Sequence, residues 1–104
     1  MNGSKPIIDT TKVKFKQIKL NDIKITSRLR NLNQDFVVEL AKSIKATGLI
    51  NPISVSNGIL VTGLHRLEAF RLLGYEQITC KILDFISDPD LLKRIEIEDN
   101  LLGG

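Results

Sequence analysis

Soft metal ligands are nearly missing from this 104-residue chain, which has one cysteine, Cys80, and one histidine, His65. No internal disulfide can close, no thiol-rich metal site can be assembled, and a zinc site built on clustered histidines is ruled out. Long apolar runs are missing too. The longest are a few residues, against the roughly 20 that a membrane-spanning helix needs, and the Met1-Asn-Gly-Ser-Lys start lacks the apolar core of a secretory signal. No membrane association is expected, and a cytoplasmic address follows. Acid is scarce between residues 12 and 30, where Asp22 stands alone against Lys12, Lys14, Lys16, Lys19, Lys24, Arg28 and Arg30. Base is scarce from 84 to 99, where Lys93 and Arg94 face Asp84, Asp88, Asp90, Glu96, Glu98 and Asp99. The net charge is only +3, yet the chain is a charge dipole along its length. A basic N-terminal third suits nucleic acid or a nucleotide's phosphates, and equally suits a solvated strand face on which lysines alternate with apolar residues.

What is present is ordinary for a globular chain, with 42% hydrophobic and 26% charged residues. A domain of this size buries roughly 60 to 65 per cent of the surface its unfolded chain exposes, enough for one core. Residues 1–12, with Gly3, Ser4 and Pro6 and no periodicity, read as a flexible lead-in, and 13–104 as a single domain.

Alternation of Val13, Phe15, Ile18, Leu20, Ile23 and Ile25 with polar residues predicts a half-buried strand broken by a turn at Asn21-Asp22. Asn33 then caps a helix that buries Phe36, Val37, Leu40, Ala41 and Ile44 and stops at Gly48. Residues 49–55 and 59–61 flank Ser56-Asn57-Gly58, so they predict an antiparallel hairpin. After Gly63, Leu64, Leu67, Phe70 and Leu73 mark an amphipathic helix ending at Gly74, and 78–85 reads as a strand in which Cys80 is a buried, inert thiol. Asp88-Pro89 opens a last helix with Leu91, Leu92, Ile95 and Leu102 inward. The order predicts an α+β fold with a small mixed sheet and about three to four helices.

Chemistry concentrates in Ile59-Leu-Val-Thr-Gly-Leu-His-Arg-Leu-Glu-Ala-Phe-Arg-Leu-Leu-Gly74, where a strand passes through one glycine into a helix opened by His65 and Arg66. Gly63 has no side chain to fend off a ligand. The first helical turn presents N–H groups without intrahelical partners and about half a positive charge, and Arg66 and His65 add donors beside it. A tight turn and a solvated surface arginine are the plainer reading of the same residues. The anion reading demands an open cradle; packed side chains at Gly63, or an internal ion pair on Arg66, count against it.

Three segments carry a resemblance. Val37-Val-Glu-Leu-Ala-Lys-Ser-Ile-Lys-Ala-Thr-Gly-Leu-Ile-Asn-Pro-Ile53, Val61-Thr-Gly-Leu-His-Arg-Leu-Glu-Ala69 and Glu98-Asp-Asn-Leu101 resemble, in order and spacing, motifs of the N-terminal domain shared by ParB partition proteins and sulfiredoxin. The resemblance implies a ParB/sulfiredoxin-like fold that binds CTP or ATP with Mg²⁺. Thr62, Gly63, Leu64, His65 and Arg66 would line the phosphate site, and Glu98, Asp99 and Asn100 would help hold the metal. Arg28 and Arg30 match an arginine-bearing segment that engages DNA or a partner, and a homodimer is among the states left open.

Departures from the family patterns narrow the function. Leu64 stands where sulfiredoxin has its catalytic cysteine, so that reductase chemistry is not expected. Thr62 replaces an acidic residue of the free-serine kinases, which disfavours a small-molecule kinase. Partition proteins usually have Gly-Glu-Arg-Arg where this chain has Gly63-Leu64-His65-Arg66, exchanging a fixed cation for a titratable donor. They also continue into a helix-turn-helix domain, whereas this sequence ends at Gly104. DNA contact is therefore expected to be non-specific, or to run through a partner or a missing domain. The expected function is a nucleotide switch in DNA partition or in plasmid- or phage-type maintenance or regulation, with any hydrolysis slow. Two alternatives stand beside it: a metal-dependent nuclease or nucleotide hydrolase using the Glu98–Asn100 acids, and a non-catalytic domain binding DNA backbone or protein.

Overall fold

Four short strands and three helices follow one another as strand, helix, hairpin, helix, strand, helix in the computed structural model, which describes residues 10–26, 32–48 and 51–101. Strand β1 is Lys14–Lys19, β2 Ile53–Ser56, β3 Ile59–Thr62 and β4 Gln77–Ile82; helix α1 is Gln34–Thr47, α2 Leu64–Leu72 and α3 Pro89–Leu101. The sheet order is β1-β4-β2-β3. Both outer pairs, β1 with β4 and β2 with β3, are antiparallel, while the central pair β2 and β4 is parallel, so the sheet is mixed as expected.

Local chemistry sets the joints. Asn33 caps α1 through Oδ1, which accepts the Phe36 N–H at 3.1 Å, and Gly48 closes the helix in the left-handed region at φ 70°. Such a cap contributes about 1 kcal/mol. Asn57 and Gly58 both take positive φ, 51° and 81°, which matches the strand twist in a two-residue hairpin. Asp88 Oδ1 accepts the Asp90 N–H at 2.9 Å and so caps the start of α3. The third expected strand ends sooner than its apolar run: β4 stops at Ile82 and Leu83 to Ile86 turn, with the Ile86 N–H on the Leu83 carbonyl.

Side-chain alternation along β3 divides the core. Leu60 faces Ile53, Val55, Leu67, Ile78 and Cys80 on one side of the sheet, and Val61 faces Leu83 and Ile86 on the other, where Leu91, Leu92 and Ile95 of α3 cover it. Helix α2 lies on the first face, and α1 packs against α2 through Val37, Ala41, Ile44 and Ala69. The layers run α1, α2, sheet, α3. Helix α2 is thus buried on two sides, with Leu67 toward the sheet and Ala69 toward α1 both wholly inaccessible, which is why a single apolar stripe describes it poorly. Each large side chain so buried contributes about 1.5–3 kcal/mol.

Two expectations of burial are corrected. Phe36 is 41% exposed and Phe15 is 58% exposed. Strand β1 is an edge, paired on one side only, and Ile18 is its half-buried member. Leu102 lies outside the described residues.

Gly63 shows why this position takes glycine. Its φ is 100°, and a Cβ would sit 2.9 Å from Ile53 Cβ, closer still to Cγ2 of that side chain. Replacing it combines backbone strain with overpacking of the most buried strand. Gly63→Ala is expected to lower unfolding free energy by about 2–5 kcal/mol in urea denaturation, and a loss under about 1 kcal/mol contradicts this packing. Cys80 yields a second test. Burial pushes its thiol up from 9.0 to about 11, so the neutral form is the folded one. A disulfide reagent at pH 8 should react with Cys80 only after denaturation. Because the unfolded thiol ionises near 9.0, Cys80 leaves stability unchanged below that pH and reduces it as pH rises from 9.0 toward 11.

Candidate functional site

Strand β3 delivers Gly63 to the start of α2, where its carbonyl accepts the first intrahelical bond, from the Leu67 N–H at 2.9 Å. The N–H groups of Leu64, His65 and Arg66 come before that bond and point out of the helix start. Thr62 is buried on β3 opposite Ser54. The Leu64 side chain turns inward against the sheet core, so its contribution to the helix start is its backbone.

The cradle already contains an anion. The Gly63 N–H donates to Asp99 Oδ2 at 3.2 Å, and Arg66 Nη2 lies 3.4 Å from Asp99 Oδ1. Asp99 reaches there from the last turns of α3. Its carboxylate sits where the α2 dipole and the guanidinium both favour negative charge. Arg66 is not the surface arginine of the sequence reading. Its side chain is 16% exposed, and Nη1 donates to the carbonyls of Asn51 at 3.1 Å and Pro52 at 2.9 Å. One guanidinium thereby joins the segment before β2, the start of α2 and the end of α3. The planar fork of arginine is what permits this; a lysine has a single point of charge.

His65 faces the other way. Its Nε2 accepts the Asn33 N–H at 3.1 Å, and the Phe36 ring meets the imidazole edge-on at 5.1 Å. The ring is therefore neutral with its proton on Nδ1, the one donor it has left for a ligand. The same contact accounts for Phe36, which covers His65 instead of the core.

Among the acids expected to hold a metal, Glu98 is exposed and Asp99 has both oxygens turned to donors. Among the described residues no three His, Cys, Asp or Glu side chains cluster to hold an ion. This arrangement does not fit a Mg²⁺ site. Arg28, Arg30 and the side chain of Asn100 lie outside the described residues. A cavity of about 320 Å³ opens on the seam between β3 and α3, lined by Ser56, Ile59, Val61, Leu92, Lys93 and Glu96 among others. Among the described residues no helix is long and apolar enough to cross a membrane.

The sequence reading named both partners of the ion pair yet gave them separate duties, Arg66 toward phosphate and Asp99 toward metal. It missed the carbonyls of Asn51 and Pro52 and the role of Asn33. Backbone acceptors leave no trace in residue identity, and only the Asn33 cap had a readable signal.

Comparison with known proteins agrees with this geometry. Residues 4–100 match the ParB N-terminal domain. A probable chromosome-partitioning protein ParB of Campylobacter jejuni is 37% identical over 76 residues, which cover 69% of this chain and 27% of that protein. The chain therefore spans little more than a quarter of that relative. Sulfiredoxin from Arabidopsis thaliana has a TM-score of 0.62 at 31% identity, over 79% of this chain and 96% of that one. The C-terminally truncated ParB of Caulobacter crescentus, complexed with CTP-γ-S, has a TM-score of 0.72 at 17% identity, over 86% and 53% of the two chains, a likeness of fold. The chain belongs to the ParB N-terminal domain family.

Proposed function

We propose that this domain is the nucleotide-binding module of a DNA-partition protein, taking the phosphates of CTP or ATP at the start of α2 and acting as a switch, with any hydrolysis slow. One observation carries the reading: a carboxylate held by the Gly63 N–H and Arg66 demonstrates that these donors accept an anion. The N–H groups of Leu64, His65 and Arg66 and the Nδ1–H of His65 are further donors at the same helix start, and a triphosphate has oxygens enough to use them. The CTP-γ-S in the Caulobacter protein of the same fold supports the ligand class. Mg²⁺ would arrive with the nucleotide's phosphates, and Asp99 and Glu98 are the carboxylates it would meet once Asp99 turned outward.

Isothermal titration with CTP, ATP, GTP and UTP in Mg²⁺ tests the reading, and a binding isotherm is expected for CTP or ATP. Silence from all four nucleotides would defeat it. Arg66→Ala should abolish that isotherm and, because it strands Asp99 and two carbonyls, should also cost about 1–3 kcal/mol in unfolding free energy. Arg66→Lys keeps the charge without the fork; it should stay folded and bind at least tenfold more weakly, a loss of about 1.4 kcal/mol.

A further inference from the structure

We propose that Asp99 is the resident anion of the cradle and that it makes the C-terminal half of α3 a latch, which opens when a polyphosphate takes its place. The inference rests on the phosphate reading above and adds a regulatory step to it. Asp99 holds the two donors to which phosphate is assigned, the Gly63 N–H and Arg66 Nη2. A phosphate oxygen at hydrogen-bond distance from either donor would crowd the carboxylate with like charge, so the two anions exclude each other.

The contact is also suited to exchange. Its distances of 3.2 and 3.4 Å exceed the roughly 2.7–2.9 Å of strong charge-assisted bonds. The Asp99 side chain is 21% exposed, so a solution anion can reach it.

The two halves of α3 are held differently. Leu91, Leu92 and Ile95 fix the first half against Val61, Leu83 and Ile86. Beyond them Ile97 is 47% and Leu101 81% exposed. Among the described residues, the polar contacts of segment 96–101 with the rest of the fold are those of Asp99. Losing them frees about a turn and a half of helix without disturbing the core beneath the first half. Linkage makes the coupling reciprocal: whatever holds the end of α3 down weakens anion binding, and a bound anion loosens the end of α3.

Inorganic tripolyphosphate titrated in EDTA tests the latch, since the chelator removes any role of Asp99 toward Mg²⁺. Wild type, Asp99→Asn and Asp99→Ala are compared, the first variant preserving shape and the second clearing the cradle. Both variants should bind tripolyphosphate more tightly than wild type, Asp99→Ala by roughly fivefold or more. In wild type, saturating tripolyphosphate should speed amide exchange across 96–101 while 89–95 stays protected. Binding by wild type with equal or weaker affinity in both variants, or unchanged exchange at 96–101, overturns the latch and leaves the phosphate site standing. Absence of binding by all three proteins overturns the phosphate site and the latch together.

Discussion

A single carboxylate, placed by α3 between the Gly63 N–H and Arg66, fixes how the parts of this domain meet at its site. Arg66 spends one nitrogen on the Asn51 and Pro52 carbonyls and turns another toward Asp99, so three separate segments converge on one planar cation. The two kinds of contact differ in strength. Hydrogen bonds from a charged donor to carbonyls contribute about 1.5–3 kcal/mol. A partly desolvated ion pair gives back much of its Coulomb gain as lost hydration. The carbonyls therefore hold Arg66 in place, and the carboxylate is the exchangeable member. A triphosphate brings more charge and more acceptors to the same donors, so in this contest the ligand has the advantage over Asp99.

Gly63 answers two demands that are usually treated as one. The bare α-carbon was expected to leave room for a ligand, yet Ile53 fills the place where a side chain would go. Packing and positive φ alone require glycine here. Ligand access depends on the opposite side of the residue, where its N–H emerges, and there the neighbour is a replaceable carboxylate. An invariant-looking glycine at a strand-to-helix junction thus says more about the core beneath it than about the ligand above it.

Fold and site were legible to different depths. The Asn33 cap, the Gly48 stop, the Asn57-Gly58 hairpin and the Asp88-Pro89 helix start were all readable, because each is a local rule satisfied by side chains adjacent in sequence. The layer order was not, since the burial of α2 on two faces is decided by where α1 lands. Phe36 and Phe15 were placed inside by periodicity, although one covers His65 and the other sits on an edge strand. At the site the residue types were legible and the pairing was not. Arg66 and Asp99 are 33 residues apart, and no spacing rule connects them.

The architecture gives a physical reason for such a latch to sit on α3. Helices α1 and α2 share buried alanines and cannot shift without opening the core; packing of this kind is bistable at best and seldom gradual. Helix α3 instead lies alone on the far face of the sheet, with its apolar contacts gathered in its first two turns. Its far end can therefore move on a small free-energy change while its near end stays docked. Placing the exchangeable carboxylate at that far end converts occupancy of a small anion cradle into displacement of a helix terminus, and it does so without disturbing the layers that keep Gly63 and Arg66 in register.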